Sequence, residues 1–232
     1  MNDLFVTGLW RVDAKYNFES YLRMIPLVVK KLKAEATRAG SQIRIVICTN
    51  QEGIDRIKIK DPVEFVQIEF DDLPSVPSVS EPCGLKLGWM LNAEKLNGLN
   101  RVWANKIFLM DEMSRRLGDE ESNVIWIDAG LKQFQKNFPV GKLDRFDRIR
   151  PGQIFTNQYP NPDRVRHCRC EIPHHVRAGL IGCHRSTIHE FSREFSRHMG
   201  RVSEDCGSWD EETILSSLYL ENQKIFQTWG DL

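Results

Sequence analysis

The sequence predicts an α/β fold, with a mostly parallel central sheet and helices on both faces. Two observations carry that expectation, and a third places a ligand site in it. Short apolar runs, Ile-Arg-Ile-Val-Ile-Cys-Thr at 43–49 and Val-Ile-Trp-Ile at 124–127, read as strands buried on both faces. Apolar residues ahead of each run recur at helical spacing, and strand, long helix, strand is the opening of a βαβ unit. The run at 124–127 then ends on Asp128, followed by two of the smallest residues, Ala129 and Gly130. Open α/β sheets bind ligands at the carboxyl ends of their strands, so Asp128 is the first candidate site residue. The small residues after it would let a phosphate or sugar approach the backbone. An acid that merely caps the next segment is the other reading of Asp128.

Taken in order, the chain begins with a strand expected over 4–7 that stops at Gly8, leaving Trp10 and Arg11 in a loop. Phe18, Tyr21, Leu22, Ile25, Val28, Val29 and Leu32 give one helix face, which Pro26 should kink or divide and Gly40 should end. The second strand is 43–49, and residues 63–70 alternate enough to be a third strand nearer an edge. Residues 71–82, rich in proline and serine, read as a loop. A short helix is expected over 89–99, then a longer one on Trp103, Ile107, Met110, Met113 and Leu117, closed by Gly118. After the central strand, 133–162 reads as long loops with a strand at 153–156. The segment 176–183 holds Ala178-Gly179-Leu180-Ile181-Gly182, an apolar strand bringing backbone close to whatever Asp128 faces. Ile188, Phe191 and Phe195 supply a helix core face. Ser208 and Glu211 have capping-box spacing for a last helix beginning near 209–210.

A chain of 232 residues, 41% apolar and 28% charged, reads as one domain over 1–232 with a full core. Its formal net charge is zero, so no basic field argues for nucleic acid. No apolar run approaches the ~20 residues that span a bilayer, and the N-terminus lacks a basic-then-apolar signal pattern, which makes the cytoplasm the expected compartment. The six cysteines are expected reduced there. All six histidines fall between 167 and 198, and the run from His167 to His175 places His174 and His175 just after Cys168 and Cys170. Two thiolates and one or two imidazoles suit zinc; ordinary loop residues, or histidines facing a substrate, suit the same pattern.

These residues also carry a resemblance. Trp103-Ala-Asn-Lys106, followed about twenty residues later by Trp126-Ile-Asp128-Ala-Gly130, resembles the A-type glycosyltransferases, Rossmann-like enzymes in which a lysine-bearing helix precedes a strand ending in Asp-x-Asp. Arg177-Ala-Gly179-Leu-Ile-Gly182 is similar to the acceptor-side strand of retaining members, and Asp210-Glu-Glu-Thr-Ile-Leu215 to their late Asp-Gln-x-x-Leu helix start. Val6-Thr7-Gly8-Leu-Trp10-Arg11 resembles the first strand and nucleotide-contacting loop of the bacterial HtrL/YibB family, which matches over nearly the whole chain.

The resemblance implies transfer of a sugar from a nucleotide-diphosphate donor to a glycan or lipid-linked acceptor in polysaccharide biosynthesis. Residues 1–130 would be the nucleotide half and 131–232 the acceptor half, and a lipid-linked acceptor would bring the protein to the inner face of the membrane. Manganese or magnesium would sit on Asp128, which is a metal or ribose ligand in this reading. Thr7, Gly8, Trp10, Arg11, Lys106 and Gly130 would line the donor, Lys106 and Arg11 toward its phosphates and Trp10 against its base. Asp210 and Glu211 join Asp128 as catalytic candidates, and His174, His175 and Gly179 fall on the acceptor side. The family's second acid is replaced by Gly130, which leaves a metal short of ligands. Plain alternatives stand beside these roles: Lys106 on a solvated helix face, Trp10 in the core, and Asp210 to Glu212 as acids favoured at a helix N-terminus. A non-catalytic nucleotide-sugar or glycan-binding module and a metal-dependent hydrolase are the rival functions, since fold alone does not choose.

Overall fold

The computed structural model describes residues 2–12, 18–80, 83–85, 89–118, 122–129, 149–159 and 172–228. In chain order the elements are β1 (Asn2–Leu9), α1 (Phe18–Ala39), β2 (Gln42–Thr49), α2 (Gln51–Arg56), β3 (Glu64–Gln67), β4 (Cys83–Leu85), β5 (Trp89–Leu91), α3 (Ala93–Leu117), β6 (Asn123–Ile127), β7 (Ile154–Gln158), β8 (Val176–His184), α4 (Arg185–Asp205), α5 (Glu211–Glu221) and β9 (Phe226–Thr228). Among the described residues the main sheet runs β3-β2-β1-β6-β8-β7-β9, with β4 and β5 as a separate antiparallel pair. Every neighbouring pair in the main sheet is parallel except the two made by β8, which runs against both β6 and β7. The fold is therefore α/β with a mostly parallel sheet, as the apolar runs predict.

Alternation along the strands builds two cores. On β2, Ile45 and Ile47 face one side while Val46 and Cys48 face the other. Leu22, Ile25, Val28, Val29 and Leu32 of α1 pack with Phe5, Ile45, Ile47, Ile125 and Ile127 on the first side. On the second, α3, α4 and α5 bring Ile107, Met110, Phe191, Phe195, Ile214 and Leu215 against Val6, Val46, Trp126 and Ile181. No helix among the described residues is long and apolar enough to cross a membrane.

Several expectations shift. β1 runs through Gly8 to Leu9, since β2 pairs with it in parallel as far as Leu9 against Thr49. Pro26 lies inside α1 without dividing it, and the helix ends at Gly40, whose φ of 65° suits a residue without Cβ. Residues 89–91 form the strand β5 rather than a helix, and α3 starts where the Asn92 side chain accepts from Lys95 N. The loop through 71–80 is tied to α3: Asn97 exchanges bonds with Val79, Arg101 donates to the Asp71 and Leu73 carbonyls, and Asn105 donates to Pro74. The cysteines are not all reduced, because Cys206 is disulfide-bonded; one cysteine's place in a sequence does not reveal its pairing. Cys48 and Cys183 are free and buried, and burial pushes the Cys48 thiol up to about 12 and that of Cys183 higher still.

Candidate functional site

The parallel strands β1, β2, β3 and β6 all end at one edge of the sheet, and Asp128 is the first residue beyond β6 there. Its backbone N–H donates to the Gly179 carbonyl at 3.0 Å, extending the β6–β8 ladder by one rung. On its other side β8 bulges away from β7. Thr156 and Asn157 are consecutive on β7, yet they pair with Ile181 and Arg177, leaving 178–180 without partners on β7.

The Asp128 carboxylate is held by two side chains. Trp126 Nε1 donates to Oδ1 at 2.7 Å, and Lys106 Nζ lies 2.9 Å from Oδ1 and 3.1 Å from Oδ2. Lys106 comes from the middle of α3 and is 3% exposed, whereas the Asp128 side chain remains 34% exposed. The same ammonium donates to Glu211 Oε1 at 2.8 Å and reaches the Ala178 carbonyl at 3.4 Å. A buried cation thus clamps the end of β6, the bulge of β8 and the start of α5. Lys106 is no solvated surface lysine. Burial alone would pull its pKa down, but Asp128 and Glu211 outweigh that and hold it above the usual lysine range. Burial pushes Glu211 the other way, up to about 8 against the pull of Lys106, with Asp210 and Glu212 adding like-charge repulsion.

Asp210 is the N-cap of α5. Its Oδ1 accepts from Thr213 N at 2.8 Å and Thr213 Oγ1 at 2.9 Å, so the capping box is Asp210 with Thr213, not Ser208 with Glu211. Glu211 is drawn to Lys106 instead of reaching back to a cap. His174 is buried under this cap, with Nε2 3.0 Å from Thr213 Oγ1 and 3.7 Å from Asp210. It belongs to the foundation of α5 rather than to an open acceptor surface. The half-buried His175 stacks on Tyr219 at 5.1 Å, and its backbone N–H donates to Ser216.

Two site residues carried no usable sequence signal. Glu212 accepts from Ala178 N at 3.0 Å and from the Tyr159 hydroxyl at 2.6 Å, pinning α5 to the bulge. Burial, then the Glu212 charge, hold the Tyr159 phenol well above its usual range. Arg177 stacks its guanidinium on the Tyr159 ring at 4.4 Å and makes no ion pair among the described residues. Glu212 was visible only as one acid of a run, and a tyrosine in an irregular segment gives no pattern.

The residues after β1 divide. Thr7 is buried with its hydroxyl unpaired among the described residues. A Cβ on Gly8 would stand 2.5 Å from the Trp10 ring and 3.1 Å from Trp126, so Gly8 is the space across which the two indoles meet. Trp10 is core: it is buried and its Nε1 donates to the Ile68 carbonyl at 2.9 Å, which corrects its expected place against a nucleotide base. Its contribution is to back Trp126, which in turn holds Asp128. Arg11 is partly exposed, paired with Glu52 at 2.5 Å and lying over the Phe18 ring at 4.7 Å. Gly130, Cys168 and Cys170 lie outside the described residues.

Manganese or magnesium on Asp128 does not fit the described residues. A carboxylate offers about four lone-pair sites. Trp126 takes one on Oδ1 and Lys106 one on Oδ2, with the ammonium also 2.9 Å from Oδ1. Magnesium asks for near-octahedral oxygen coordination. Among the described residues, no group of three or more His, Cys, Asp or Glu converges on one point that could hold a metal ion.

No protein-family model matches the chain, so kinship with the HtrL/YibB family rests on the quoted motifs alone. No curated protein matches either. Among solved structures, the chain is similar to mouse xyloside xylosyltransferase 1 in its apo form, with 11% identity and a TM-score of 0.49 over 98% of this chain and 85% of that one. A likeness of that size decides nothing about activity.

Proposed function

We propose that the chain is a glycosyltransferase of the A-type fold, moving a sugar from a nucleotide-diphosphate donor to a glycan or lipid-linked acceptor. The observation that carries this reading is Asp128: a partly exposed carboxylate at the carboxyl edge of the sheet, fixed by Trp126 and by the buried Lys106. Such an acid, with backbone bulging beside it, suits the hydroxyls of a ribose or sugar. Residues up to about 130 would hold the nucleotide, and those beyond it the acceptor.

The transfer breaks the bond between the anomeric carbon and the diphosphate and forms one to an acceptor oxygen, whose proton passes to the departing diphosphate or to water. Charge grows on the departing phosphate and needs positive groups already in place. Arg11 and Arg177 are the candidates, the first at the end of β1 and the second beside the β8 bulge. Asp128 binds and orients; Lys106 and Glu211 hold it in position. Asp210 and His174 act through the α5 cap. The compartment reading changes with Cys206, since its disulfide favours an oxidising environment over the cytoplasm.

A second reading, a nucleotide-sugar or glycan-binding module without turnover, is favoured by one observation. Asp128 and Glu211 are both tied to Lys106, so neither stands ready as a free base. Thermal shift with nucleotide diphosphates and nucleotide sugars tests binding first. A ligand at 100 times its Kd adds about 2.7 kcal/mol, or roughly 5–10 °C for a chain of this length. Release of free sugar or transfer to an acceptor then separates enzyme from module. No shift with any nucleotide would remove both readings.

A further inference from the structure

An A-type site is expected to hold its donor through a divalent cation, and the described residues around Asp128 do not fit one. We infer that the Lys106 ammonium, clamped between Asp128 and Glu211, is the resident cation of this site, and that a nucleotide diphosphate binds here without a divalent metal. The inference rests on the reading above that a donor binds at Asp128.

The geometry makes the case oxygen by oxygen. Lys106 Nζ lies within 3.1 Å of both Asp128 oxygens and 2.8 Å from Glu211 Oε1. Trp126 donates to Oδ1 at 2.7 Å. Oδ1 accepts from Trp126 and Oδ2 from Lys106, so each oxygen keeps at most one open position, enough for a hydroxyl donor and too little to anchor an ion that needs several oxygens. A divalent ion bonded to that oxygen would also approach a buried ammonium of like sign. Among the described residues, the two carboxylates nearest the site are already bridged by the lysine.

The arrangement makes an unusual demand on a mutant. Lys106→Ala removes the ammonium and leaves Asp128 and Glu211 flanking the space it filled. That variant should gain manganese affinity that the wild type lacks.

The test combines two titrations on the intact chain. Manganese is titrated alone and followed by the loss of its free-ion electron paramagnetic resonance signal. Uridine, guanosine and adenosine diphosphates are then titrated calorimetrically in EDTA and in manganese. The inference expects no stoichiometric manganese on the wild type and a diphosphate Kd equal within about twofold in the two buffers. It also expects manganese binding by Lys106→Ala. Wild-type manganese binding that disappears in Asp128→Asn would overturn it, whether or not Lys106→Ala folds. A diphosphate that binds only with manganese would overturn the inference and leave the glycosyltransferase reading standing. If no diphosphate binds in either buffer, the donor reading fails and takes this inference with it.

Discussion

Glu211 offers a prediction that can be worked through in numbers. Its carboxyl is buried at the start of α5 and pushed from the ordinary 4.5 up to about 8. A group whose folded pKa is raised binds more protons folded than unfolded between those two values. Its contribution to stability is therefore fully present below pH 4.5 and is lost as pH rises through about 8. Each pH unit with one extra bound proton is worth about 1.36 kcal/mol. Between pH 5 and 7 the folded chain binds more protons at Glu211 than the unfolded chain does, so stability falls over that interval, by roughly 2–3 kcal/mol at most. Glu211→Gln keeps an oxygen for Lys106 and cannot titrate, so it should lack this fall. Urea unfolding of both proteins at pH 5, 6, 7 and 8 gives the comparison. The wild-type curve should drop relative to Glu211→Gln by roughly 2–3 kcal/mol from pH 5 to 7. Parallel curves, differing by a constant, would show that Lys106 keeps Glu211 ionised throughout and that burial does not win.

Three further outcomes follow from the same geometry. Asp210→Ala removes the α5 cap and should cost about 1–2 kcal/mol in urea unfolding, with a larger loss if His174 loses its place as well. Trp10→Phe leaves the Ile68 carbonyl unpaired and should cost about 1–3 kcal/mol, while calorimetry finds nucleotide affinity unchanged because the indole is core and not a base platform. Alkylation at pH 8 should label neither Cys48 nor Cys183 until the chain is unfolded, since burial suppresses their thiolates. Cys206 should need reductant as well, read by intact-protein mass.

The sheet was legible because burial on both faces writes itself as uninterrupted apolar residues, as at Val124–Ile127 within β6. Residues 89–91 were not: a short apolar run suits helix or strand equally, and pairing with β4 decided it. Asp128 could be placed by position alone. Lys106 could be suspected, but its second partner stands 105 residues further on, and no spacing rule reaches that far. The α5 cap was misread because Ser208–Glu211 and Asp210–Thr213 have the same spacing. The tie is broken in space, where Lys106 claims Glu211. Trp10 shows the same limit, since an indole that stacks on a base and one that fills a core look identical in sequence.

The central claim is that Asp128 is the donor contact, and Asp128→Asn tests it most directly. The amide preserves shape but loses charge, so the α/β fold should persist. Nucleotide-diphosphate or nucleotide-sugar affinity, measured by calorimetry in EDTA, should fall by roughly 2–3 kcal/mol, the scale of a lost charged hydrogen bond. Equal affinities for wild type and Asp128→Asn would contradict the account and remove Asp128 from the site.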